Sequence, residues 1–98
     1  MGFFQTIATR TSNIGPVRDL LVDWHTSQAG VAPGYIGNRI LADRDNGGRY
    51  LIVIKFDPVE LAAKNNERSE TATWSQTLAT LIDGDAEFAQ YNEQHASS

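Results

Sequence analysis

The segment that most constrains this chain is Arg49 to Phe56, whose centre is Tyr50-Leu51-Ile52-Val53-Ile54. β-branched and aromatic residues at this density predict a strand. Alternation along it sends Tyr50, Ile52, Ile54 and Phe56 to one face and Leu51 and Val53 to the other. An antiparallel strand with one wet face should alternate apolar and polar residues. Here both faces are apolar at the centre, so the sheet needs a cover on each side.

The rest of the chain supplies one cover. Phe3 to Thr9 predicts a first strand. Pro16 suits the first turn of a helix, where its missing N–H costs nothing. Val17, Leu20, Leu21 and Trp24 then form one apolar stripe, and the helix should end before Gly30. Tyr35 to Ala42 predicts a second strand. Asp45-Asn46-Gly47-Gly48 predicts a tight type I′ hairpin into the third. In that register Ile40 and Ala42 join Leu51 and Val53, while Arg39 and Leu41 share a face with Ile52 and Ile54. Asp57-Pro58-Val59-Glu60 has a capping pattern for a second helix. Asn65 and Asn66 predict a break in it, and Ser69-Glu70 a restart. Trp74, Leu78, Leu81 and Ile82 give a second stripe, and Gly84 stops it. Ala86 to Asn92 predicts a last, weaker strand.

The order β, α, β, β, α, β predicts one α+β domain over residues 1–98. Right-handed crossovers make it ferredoxin-like: a four-stranded antiparallel sheet with two helices on one face. Two helices cover only that face. A second copy of the chain is the simplest cover for Leu51 and Val53, so a homodimer through the sheet face is expected.

Composition closes several routes. The absence of cysteine removes disulfides, thiolate metal sites and a cysteine nucleophile. A net charge of -4, with the basic residues dispersed, argues against nucleic acid as a partner. No stretch has the length and apolarity of a membrane span, and the N-terminus lacks a signal-peptide pattern. A cytoplasmic location is therefore expected, with neither membrane nor metal partner. His25 and His95 are far apart in sequence. His25 is a possible base or simply a histidine near a negative helix end, and His95 falls in the C-terminal tail.

Several of these residues carry a resemblance. The element order, Gly-Tyr-Ile-Gly at 34–37, Asp-Asn-Gly-Gly-Arg at 45–49 and Phe56 before Asp57-Pro58 resemble the dimeric α/β-barrel superfamily. Within it the chain is most similar to the antibiotic-biosynthesis-monooxygenase-like proteins. The resemblance implies a cavity between sheet and helices and a small aromatic or polyketide-like ligand. It implies either cofactor-free oxygenation or, as the alternative, a non-catalytic dimeric binding or interaction protein. Asn, Trp, Tyr and Arg serve such cavities, which makes Asn65, Trp74, Tyr35 and Arg39 the candidates here. Arg39 or Asn65 would stabilise a substrate anion. The haem-degrading branch has an Asn on strand one, a Trp and then a His. This chain has no such Asn, and it has Asn65 and Ser75 near the other two positions. No cofactor is expected. A roomy cavity would favour the enzyme; one filled by Trp24, Trp74 and Phe56 would favour the binding protein.

Overall fold

A computed structural model describes every residue except Met1, Pro58, Val59, Ala62, Ala63, Asn65 and Asn66. Its elements are β1 (Phe3–Arg10), α1 (Gly15–Gln28), β2 (Tyr35–Ala42), β3 (Arg49–Phe56), α2 (Ser69–Leu81) and β4 (Glu87–Asn92). The strands form one antiparallel sheet in the order β2-β3-β1-β4. This is the ferredoxin-like arrangement expected from the element order.

Local chemistry accounts for the boundaries. Pro16 lies in the first turn of α1, and the Arg18 N–H donates to the Ile14 carbonyl at 2.8 Å to close that turn. Gly30 follows α1 with φ at +79°, a conformation that releases the chain from the helix without a Cβ clash. α2 restarts at Ser69 as expected, with Arg68 extended at its N-cap and Glu70 in its first turn. The capping pattern at Asp57-Pro58 and the break at Asn65-Asn66 lie outside the described residues.

The core is the layer between the helices and one sheet face. Ile7, Val17, Leu21, Ile52, Phe56 and Leu78 are its largest fully buried side chains. The helical stripes supply Val17 and Leu21 from α1 and Trp74 and Leu78 from α2. Phe56 packs at 6.3 Å, centroid to centroid, from both Phe3 and Tyr35.

The hairpin corrects one expectation, and the correction changes two faces. There is no two-residue type I′ turn. Such a turn needs positive φ at both central residues, and among the described residues between β2 and β3 only Gly48 has it, at +85°. The Asp43 N–H donates instead to the Arg49 carbonyl at 3.0 Å, and the Asp43 carboxylate accepts the Asp45 N–H at 2.9 Å. The loop therefore closes one residue away from the expected position. A one-residue change in register moves every side chain to the other face. Leu41 pairs with Leu51, Arg39 with Val53, Ile40 with Ile52 and Asn38 with Ile54. Arg39 and Leu41 thus share the outer face with Leu51 and Val53, whereas Asn38 and Ile40 turn toward the helices.

Neither α1 nor α2 lies over that outer face. Leu41 (47% exposed), Leu51 (36%) and Tyr91 (56%) stand on it as large exposed apolar residues, with Val53 half-buried among them. Two apolar faces were legible in β3 alone; which residues of β2 join each face was not.

Candidate functional site

Between the inner sheet face and the helices lies a small chamber of about 40 Å³, walled by Trp24, Phe56, Trp74, Gln5, Ser75 and Phe88 among others. Above it, between α1 and α2, an open groove of about 450 Å³ runs over Leu20, Trp24 and Trp74. The two indoles belong to both spaces. Their centroids lie 5.8 Å apart with a 49° tilt, so together they divide chamber from groove. They meet because Trp24 ends the α1 stripe and Trp74 begins the α2 stripe, and the two helices lie side by side on one face.

Trp74 is 7% exposed, and its Nε1–H has no hydrogen-bond partner among the described residues. A buried donor left unpaired costs about 1–3 kcal/mol and calls for a physical reason. An acceptor atom on a bound molecule is one such reason. Trp74, a candidate through the resemblance, lines both the chamber and the groove. Trp24 joins it.

The other candidates separate. Tyr35 is buried, but it lines neither space. The Asn38 amide donates to its phenol oxygen at 2.7 Å and to the Leu21 carbonyl at 3.3 Å. His25 Nδ1 lies 2.8 Å from the same phenol oxygen. The phenol and the imidazole share one hydrogen bond, whose donor is set by the imidazole tautomer. The three residues tie α1 to β2 beside the core. Arg39 is exposed on the outer face, across the sheet from the chamber. Asn65 lies outside the described residues.

Burial pushes the Tyr35 phenol above the ordinary tyrosine range; the Asn38 amide pulls it the other way, but by less. The folded protein therefore keeps the phenol proton where the unfolded chain, near its ordinary value of 10.0, has lost it. Stability from this group is complete below that pH and falls as pH rises through the folded-state value. Tyr35→Phe should cost about 1 kcal/mol at neutral pH, the worth of one ordinary hydrogen bond. It should also flatten the alkaline loss of stability. Urea melts of both proteins between pH 7 and 11 check this; parallel alkaline slopes would contradict it.

The electrostatics of the groove are one-sided. Its charged lining residues are Asp23 and Glu70, and no basic residue lines it. Glu70 is answered locally: the Ser69 hydroxyl and then the Arg68 guanidinium hold its carboxyl below the usual range. Among the described residues no three His, Asp or Glu side chains converge as a metal site. None of the helices described is long and apolar enough to cross a membrane.

Two wall residues escaped the sequence reading. Gln5 lies on β1 between Phe3 and Ile7 at a spacing of two, a polar residue within a row that faces the core. That interruption was the available signal. Asp23 precedes Trp24, but only the packing of α1 against α2 brings it to a groove.

No family model matches the sequence, and no curated protein is matched by sequence either. Solved structures are matched by shape. An antibiotic biosynthesis monooxygenase-like protein of Deinococcus radiodurans is 16% identical with a TM-score of 0.75, covering 100% of this chain and 97% of that one. SnoaB, a cofactor-independent oxygenase from Streptomyces nogalater, is 12% identical with a TM-score of 0.75, covering 97% and 94%. An antibiotic biosynthesis monooxygenase-like protein of Nitrosomonas europaea is 15% identical with a TM-score of 0.70, covering 99% and 94%. At these identities the likeness is one of fold: this chain shares the ferredoxin-like α+β fold of these proteins over nearly its whole length.

Proposed function

We propose that the chain binds a small aromatic molecule at the Trp24–Trp74 groove and oxidises it with dioxygen without a cofactor. The unpartnered indole N–H of Trp74 beneath an apolar groove carries the binding half of this reading. The shared fold with a cofactor-independent oxygenase supports the catalytic half. The chemistry needs no reductant beyond the substrate. An activated methylene between two aromatic rings loses two C–H bonds and four electrons. One oxygen atom of O₂ becomes the new carbonyl, and the other leaves with the two protons as water. Charge developing on the substrate oxygen would reach the buried Trp74 N–H only if the two indoles part, and would not reach Arg39, which is on the other face.

Anthrone is the test substrate. Oxygen uptake matched one-to-one by anthraquinone, above a heat-denatured control, is expected. It should fall about tenfold in Trp74→Phe, the equivalent of one hydrogen bond made in the transition state. Uptake no faster than the control would overturn the oxygenase reading.

One observation favours the second reading, a non-catalytic binding protein. Trp24, Trp74 and Phe56 fill the inner space, leaving about 40 Å³, room for water but not for a ring. Saturable binding without oxygen uptake supports that alternative.

The same proposal includes a homodimer through the outer sheet face. Leu41, Leu51 and Tyr91 would otherwise stay in water beside Val53 and Ala8. Large contiguous apolar patches of this kind mark interaction surfaces. A second copy offers a face of the same apolar chemistry.

A further inference from the structure

The groove has a floor and a mouth of different character. Leu20 and the two indoles make the floor apolar. At the mouth, Glu70 is bonded to Ser69 and Arg68, whereas Asp23 is exposed. No hydrogen bond or ion pair is found for the Asp23 carboxylate among the described residues. No Lys, Arg or His lines the groove to offset it. The arginine that could have drawn an anion, Arg39, lies on the opposite side of the sheet.

We propose that this groove selects its ligand by charge, taking a flat aromatic molecule that arrives neutral or cationic and rejecting carboxylates and phenolates. The proposal rests on the reading of the groove as the ligand site and adds the class of molecule it admits. An ammonium group on the ligand has two attractions here. The Asp23 carboxylate draws it by simple Coulomb attraction. The electron-rich faces of Trp24 and Trp74 draw it as well, indole being the best side-chain partner for a cation. An anion of the same shape meets the unpaired Asp23 carboxylate instead, while the guanidinium near the mouth, Arg68, is already bonded to Glu70.

The experiment holds shape constant and varies charge. 2-Naphthylmethylamine, 2-naphthylmethanol and 2-naphthoate are titrated into the full chain by calorimetry at pH 7, in 20 mM and 500 mM salt. The amine should bind tightest and the carboxylate weakest, each step about 3- to 10-fold, with the steps shrinking at high salt. Asp23→Asn should weaken the amine by about 3- to 10-fold and leave the alcohol within about twofold. Asp23 is exposed, so this variant keeps the fold. A carboxylate that binds as well as the alcohol, or better, overturns the proposal. So does an Asp23→Asn variant that weakens amine and alcohol alike. Saturable binding in the expected order without any anthrone oxidation removes the oxygenase reading and leaves charge selection standing. Failure of all three ligands to saturate overturns the groove as the ligand site and charge selection with it, while the anthrone assay decides oxidation separately.

Discussion

Leu51→Asp should turn a dimeric protein into a folded monomer, and Val53→Asp should do so less completely. The wild type is expected to scatter light at twice the chain mass of 10.8 kDa at micromolar concentration. Each variant places a carboxylate at the centre of the outer face, where pairing would strip it of water. An unpaired charge buried in this way costs several kcal/mol. About 3 kcal/mol is enough to weaken dimerisation more than 100-fold. The strand register separates the two sites. Val53 pairs with Arg39 on one side and Thr6 on the other, so a new carboxylate there has a guanidinium next to it. Leu51 lies between Ala8 and Leu41, so no charged residue stands directly across the sheet from it. Neither substitution touches the inner core, so the monomers should keep their helices and strands by circular dichroism. A wild type already monomeric at 100 µM, or a Leu51→Asp protein that still dimerises, would end the sheet-pairing proposal.

Phe56→Ala should lose about 3–5 kcal/mol of folding stability, whereas Phe88→Ala should change it by less than about 1 kcal/mol. Both side chains wall the inner chamber. Their burial differs: Phe56 is 2% exposed and Phe88 55% exposed. Removing Phe56 strips packing from Phe3 and Tyr35 and opens a cavity that the surrounding elements can only partly close. For a domain of this size, total stability of about 5–15 kcal/mol leaves little margin after such a loss. Urea midpoints at fixed protein concentration give the comparison. Equal losses at the two positions would mean that the inner layer is not packed as described.

The secondary structure was written locally. Pro16, Gly30, Ser69 and Gly84 mark starts and stops through backbone conformations that depend on a few neighbouring residues. β2 and β3 run over the predicted residues because a dense run of β-branched and aromatic residues bounded by Gly, Asn and Asp favours a strand. Trp74 was legible as an inward-facing residue, because the α2 stripe gives its direction whatever lies opposite. Arg39 was not. Its face depends on the register of the β2–β3 hairpin, and that register depends on whether the chain closes at Asp43 and Arg49 or one residue away. Loop composition supports either closure, because Asp, Asn and Gly suit several turns. Tertiary packing selects the one that puts Ile40 beside Ile52 in the core. The same limit applies to Trp24 with Trp74, Asp23 at the groove, and His25 with Tyr35 and Asn38. Each of these groups joins residues from different elements. The periodicity of one element fixes the direction of its own side chains, while only the packing of elements against each other determines what they meet.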